Sequence, residues 1–526
     1  MKFKNIYIIA GIFITMAYFA CKKELTRVNT TPTAIPAANY NPNFLLTTTQ
    51  LMYTGSTDFG AENWQTEWGE IAGFIQHVSS VNTAYYSGDK YLNSVGNFGV
   101  YFDHSYIYQV QPVVELYQLT QNKPQYKNLH QMARIMKALV FERITDIYGD
   151  VPYSQAGLGY YQRIYAPAYD TQQSIYIDML KEVSQATDSL DVNADYPTGD
   201  VYYASTGKSQ IKQWKKFGYS VLLRMAMRLT KLPDQASLMN SYIAKVQGLT
   251  MQSNADNAIV QHELGSETQN RDSWSIIGED STDLKLDSTY VSLMKRNKDP
   301  RLHIISVIYA KNDSTSADQL GMPQGKILGG TNPALDIRQT TNPRFPKTGI
   351  PGYSRFSNTF LSYTAPNLIV TYSETEFLLA DAAERSGDNA GAAAHYKNGI
   401  IAAVGQLAPY GPDGVVSDAE ASGYYDDFIK AHPFSTDKNT ALNQINTQYW
   451  LCTIMDEYEA WANWRRTGYP VLVPTNYPGN VTGGTIPRRL EYPASEKVTN
   501  GASYNAAVAR LTGGDLLTSR MWWDAP

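Results

Sequence analysis

Only two of the 526 residues are cysteine, so no disulfide framework holds this chain together. The seven histidines form no H-E-x-x-H or H-x-x-H pair, which leaves zinc chemistry without a ligand set. No G-x-S-x-G elbow and no G-x-x-x-x-G-K-[ST] loop occurs, so serine-elbow acyl transfer and phosphate-loop chemistry both lack their motifs. Positive charge is in deficit: 44 Lys and Arg against 49 Asp and Glu give a net charge of −5, with no basic run to draw in nucleic acid. Beyond residue 20 no uncharged run reaches membrane-spanning length, so the body of the chain is expected to be soluble even if tethered.

Tyrosine, by contrast, is abundant, with 39 Tyr against 16 Phe. Its apolar face and polar tip suit half-exposed surfaces and recognition sites better than dry cores. At the start of the chain, Lys2 and Lys4 precede an uncharged run from Ile6 to Ala20, the layout of a signal peptide over 1–20. At ~1.5 Å per residue that run is short for a retained span. Cys21 follows at once. Ala20 suits cleavage before a lipidated cysteine, whereas Tyr18 and Phe19 are bulkier than such signals carry; ordinary secretion with a free Cys21 is the alternative. Residues 21–43, rich in Pro and Thr, read as the lipidated N-terminus and a linker, and 44–526 as one domain. The second cysteine, Cys452 in "YWLCTIMDEYEAW", reads as a small core residue on a helical stripe.

Past the linker, helical periodicity dominates. It predicts helices at Asp103–Gln121, Gln125–Gly149, Thr171–Ser189, Ser209–Thr230, Gln235–Gln247, Tyr372–Ser386, Ala390–Val404 and Thr440–Trp464. Strand signals are few, "NAIVQH" and "LHIISVIYA" being the best. Thr371–Val404 pairs two helices around a Gly387-Asp388 turn, with Ala392, Ala393 and Tyr396 on the second. Small residues where helices touch, and an aromatic where a neighbour docks, are the pattern of a ~34-residue tetratricopeptide unit. Further pairs near 103–147 and 171–230 extend this to a mostly α fold of tetratricopeptide-like pairs. Segments at about 54–100, 248–286 and 311–370 read as irregular. Loops that long in a compact protein are commonly functional, and their Trp and Tyr content argues against disorder.

A catalytic set is hard to assemble, and no cofactor is implied. Glu142 and Asp146 in "ERITDIYGD" lie one helical turn apart. A glycosidase needs carboxylates facing each other across a substrate, so this pair reads as solvated or capping. Arg465-Arg466 and Arg488-Arg489 read as ties between loops and carboxylates, with anion binding as the alternative. Binding has the better case. Ala61–Asn93 offers Trp64, Trp68, Tyr85 and Tyr86 among Asn, Gln and Ser, and Glu267–Asp280 offers Trp274 beside Asn270, Arg271 and Asp272. An aromatic plate takes the C–H face of a sugar while amides and carboxylates take its hydroxyls. Trp64 and Trp68, at helical spacing, could equally plug a core, and Trp68 is read that way. Tyr85, Tyr86 and Trp274 are flanked by polar residues and could stand inside or out. The candidate ligand contacts are Trp64, Tyr85, Tyr86, Asn270 and Trp274.

Several stretches carry a family resemblance: "MARIMKALVFERITDIYGDVPYSQAG", Gly88-Asp89-Lys90-Tyr91, "EAWANWRRTGYPVL", "IPRRLEYPASEKVTN" and the closing "RMWWDAP". Together they resemble the SusD-like (SusD/RagB) family of Bacteroidetes outer-membrane lipoproteins, nearest its second group. The resemblance implies a single, mostly α-helical SusD-like fold with a loop-rich ligand region and a lipid on Cys21 anchoring the protein to the outer membrane, facing outward. It also implies a lid on a SusC-type TonB-dependent β-barrel, to which glycans are delivered without catalysis. Capture of peptides or another nutrient, a secreted hydrolase, and a bare helical scaffold are the rival readings. In "DIYGDVPYS", Gly149 is expected to end its helix in a left-handed conformation and Pro152 to stop it, with Tyr148 and Tyr153 closing over the turn. That role is structural and needs no ligand.

Overall fold

Apolar residues three and four apart turn most of this chain into helix. The computed structural model describes residues 40–57, 60–203, 207–265, 268–280 (278–280 by backbone only), 284–308, 314–315, 317–339, 345 and 349–526. Contacts group Met1–Pro42 as one unit and Asn43–Pro526 as another; the leader and Cys21 lie outside the described residues. Helix Lys127–Tyr148 buries Leu129, Met132, Met136, Leu139, Val140 and Ile144, the stripe its periodicity predicts. It packs on Gln172–Ser189, which in turn packs on Lys208–Met227.

The pair Tyr372–Ser386 and Asn389–Gly405 has the tetratricopeptide-like character expected. Gly387 ends the first helix at φ +90°, and Asp388 caps the second by accepting from Gly391 N at 2.9 Å. The helices meet at Gly399, where a Cβ would come within 2.5 Å of the Phe377 ring. Tyr396 is buried against Phe434, with ring centroids 5.0 Å apart. The strands described make four short antiparallel ladders. Of the two predicted, "NAIVQH" supplies Ala258–Val260, whereas "LHIISVIYA" is half helix, Arg301–Ile305, and half strand, Ser306–Ile308.

Thr440–Trp464 is not one helix. It breaks into Lys438–Cys452 and Glu457–Thr467 at Met455, whose φ is +79°. The break turns Glu457 toward His77 Nδ1, at 2.5 Å, and Glu459 toward Arg228. Cys452 is buried as expected, its thiol pushed up to about 12 by burial.

Glu142 and Asp146 are not solvated either. Both are buried: Glu142 lies 2.6 Å from Arg224 Nη2, and Asp146 3.0 Å from Arg228 Nε. A buried carboxylate needs such a partner, and here two arginines on Lys208–Met227 and its continuation supply it. The arginine pairs near the end of the chain are ties. Arg465 is buried over the Trp461 ring at 3.6 Å and donates to Asp146 O, Arg466 pairs with Asp381 at 3.1 Å, and Arg489 with Asp515 at 2.5 Å. Gly149 has the positive φ expected, +88°, although its ψ of −119° lies outside the left-handed helical region. Tyr148 donates to Phe98 O at 2.6 Å and Tyr153 to Asp178 at 2.7 Å, which fixes that corner.

Candidate functional site

The residues proposed for ligand contact sit on two neighbouring helices and one loop. The first helix, Glu62–Ile71, is wound as a π-helix. That conformation is rare beyond a single turn and recurs at functional sites. Its polar residues pin it on several sides. Glu62 accepts from Ser56 Oγ at 2.9 Å, Asn63 and Trp68 donate to Asp272 at 2.7 and 3.0 Å, and Thr66 donates to Asn97 O at 2.8 Å. Trp68 is thus the core residue its spacing suggested, 1% exposed. Trp64, on the same helix, is half-buried.

The loop crosses this helix backbone to backbone. A Cβ on Gly88 would overlap the Glu70 carbonyl, and one on Gly73 would overlap the Asp89 amide, so each position admits only glycine. Just before the crossing, Asn82 Oδ1 accepts from Ala84 N at 2.7 Å and Tyr85 N at 3.2 Å, an Asx turn that holds the Tyr85 backbone. Tyr85 is 54% exposed and stacks on Trp64 with centroids 5.7 Å apart and planes at 27°. The second helix, Arg271–Asp280, is joined to the first through Asp272 and carries Trp274, half-buried.

Two of the candidates are corrected as direct contacts. Tyr86 is 2% exposed, its hydroxyl donating to Ser275 O at 3.1 Å. Asn270 is fully buried, its amide donating to Ala365 O and Asn367 Oδ1 and its Oδ1 accepting from Ser273 N at 2.7 Å. Both brace the surface from within. Sequence reasoning placed Asp272 beside Trp274 but missed its bracing role, taking Asn63, Trp68 and Asn367 as donors, because these partners lie some hundred residues or more away. It also missed Asn82, although an Asn three residues before a tyrosine in a polar loop is a readable Asx-turn signal.

Burial shifts the carboxyls beneath the platform upward. Desolvation pushes Glu70 up to about 8 against hydrogen bonds from Asn97, Ser94 and Ser87, and raises Glu67, Asp89 and Asp272 as well. Among the described residues, no group of His, Cys, Asp and Glu is arranged to hold a metal ion, and no helix is long and apolar enough to cross a membrane.

Helix pairs of tetratricopeptide type with an aromatic surface at their flank define a helical-repeat scaffold built to present side chains. Residues 38–493 match the family model SusD-like_2, described as starch-binding associating with outer membrane, and the chain belongs to the SusD-like family. Among solved structures, a chitin-binding protein is 30% identical over 92% of this chain and 100% of its own, with a TM-score of 0.77. A Bacteroidetes SusD-like protein, AC2a, is 24% identical over 93% of this chain and 100% of its own, again at 0.77. A SusD homologue from Bacteroides uniformis is 21% identical over 93% and 100%, at 0.72. No curated protein matches the sequence.

Proposed function

We propose that this protein captures oligosaccharide at the outer surface of the cell and hands it, without chemistry, to a SusC-type TonB-dependent barrel, held in place by a lipid on Cys21. The observation that carries the reading is the Trp64–Tyr85 pair: an exposed aromatic face, stacked on a second ring and fixed by an Asx turn on a braced helix. Such a plate loses little freedom when a pyranose settles on it, so the ~0.5–1.5 kcal/mol an aromatic contact contributes is not spent on ordering. Membership of the SusD-like family supports glycan as the ligand class, and the 30% identical chitin-binding protein points to β-linked N-acetylglucosamine oligomers as the first ligands to try.

Calorimetric titration of the purified protein with chito- and malto-oligosaccharides tests this. Binding is expected, weakened about tenfold by Tyr85→Ala and further by adding Trp64→Ala. Affinity unchanged in the double variant overturns the platform. A protein that ignores saccharides and binds peptides overturns the ligand class. Co-purification with a β-barrel from native membranes tests the delivery step.

A further inference from the structure

A cleft of about 650 Å³ shares no residue with the platform. Its size falls within the ~300–1,000 Å³ of small-molecule sites. It lies between the Gly149-Asp150 corner, the start of helix Gln172–Ser189 and residues 510–526, so it joins the "GDVPY" and "RMWWDAP" motifs that the platform leaves unexplained.

The two tryptophans of "RMWWDAP" part company here. Trp523 is fully buried, its Nε1 donating to Asp146 Oδ1 at 2.9 Å, and Met521 packs under Gly149. Those contacts, with Arg488 on Asp524, already clasp the tail to the body. Trp522 adds little to the clasp. It is only half-buried, 6.3 Å from the Tyr176 ring, and lines the cleft. Thr171, Gln173, Arg510, Thr512 and Arg520 line the same space.

Hydrogen-bonding capacity decides which ligand this lining fits. Arg510 pairs with Asp150 and Arg520 with Asp524, yet each arginine side chain remains 41% exposed. Each guanidinium is already engaged by a carboxylate, and its five-donor fork keeps N–H groups for other acceptors. A half-buried tryptophan, partly spent guanidinium forks, an exposed threonine and an amide residue match a ligand dense in hydroxyls. We propose that this cleft is a second saccharide site, taking a short oligosaccharide independently of the Trp64–Tyr85 surface.

The test uses the Trp64→Ala/Tyr85→Ala protein, titrated with triacetylchitotriose and with maltotriose while intrinsic tryptophan fluorescence is followed. This variant is expected to keep one saccharide-binding event. Trp522→Ala on that background should weaken it about tenfold, and Thr512→Trp, which adds bulk at an exposed position without touching the clasp, should block it. Thermal melts check folding, and Thr512→Trp decides the matter if Trp522→Ala loosens the tail. The proposal is overturned if the platform variant binds neither sugar, or if binding is indifferent to Thr512→Trp. Loss of binding with the platform changes alone speaks for the platform and against the cleft, so the two readings fail separately.

Discussion

Glu70 lies beneath the loop that carries Tyr85, one oxygen held by Asn97 and Ser87 and the other, Oε2, without a partner. Burial raises its pKa from 4.5 to about 8. In the unfolded chain the carboxyl ionises near its ordinary value, so between those two pH values the folded state holds a proton that the unfolded state lacks. Stability therefore falls as pH rises through that window, by about 1.4 kcal/mol per unit for this group. Asp287, raised to about 7, and Glu374, to about 8, act with the same sign. Glu70→Gln removes one proton from the balance and keeps the acceptor that Asn97 uses. Its melting temperature should gain on that of the parent as pH goes from 5 to 8; parallel curves across that range contradict the assignment. Single residues were partly readable from sequence. Tyr85 and Trp274 were marked by polar neighbours, but so was Tyr86, which lies inside because its hydroxyl is satisfied there.

At the level of elements, the strong apolar stripes became helices close to the predicted limits, and the errors have two physical sources. Glu62–Ile71 and Arg271–Asp280 fell in segments read as irregular because tertiary hydrogen bonds, rather than an apolar stripe, hold their polar residues. The helix break at Met455 is invisible in periodicity because apolar residues continue through it; it is set by where Glu457 and Glu459 must go. The Gly73–Gly88 crossing is the element-level feature on which the site depends. Gly88→Ala forces the loop off the helix, at ~1–3 kcal/mol for overpacking, and should lower the melting temperature and weaken saccharide binding together. Gly423→Ala is the control: in the exposed face of Asp418–Ala431 its Cβ meets nothing within 4 Å, and it should stabilise by ~0.5–1 kcal/mol with binding intact. If Gly88→Ala leaves both stability and binding unmoved, the crossing does not position Tyr85.

Across the whole molecule, helices far apart in sequence converge on one buried charge network. Arg224 reaches Glu142 at 2.6 Å, Glu374 at 3.4 Å and Glu459 at 3.6 Å, and Arg228 reaches Asp146 and Glu459. The fold class was readable from helix pairing, but this junction was not, because Glu142 and Asp146 share one helix while the other members, Arg224, Arg228, Glu374 and Glu459, come from segments 82 or more residues away. Removing one member strands the others, so Arg224→Ala should cost ~3–5 kcal/mol, seen as a lower urea midpoint for the transition reported by buried tryptophans. A midpoint unchanged within error contradicts a structural role for the network. The attachment proposed for Cys21 is separable from all of this. Cys21 belongs to the unit Met1–Pro42, whereas the aromatic platform, the cleft and the charge network all belong to Asn43–Pro526. On the proposed attachment, a lipid on Cys21 is expected to decide where the protein resides and to leave what it binds unchanged. Cys21→Ser should move the protein from the membrane pellet to the soluble fraction, without the mass of an added acyl group, while its oligosaccharide affinity stays that of the parent. In cells lacking the barrel, a Cys21→Ser protein that has lost residues 1–20 by mass and still sediments with membranes refutes the lipid anchor.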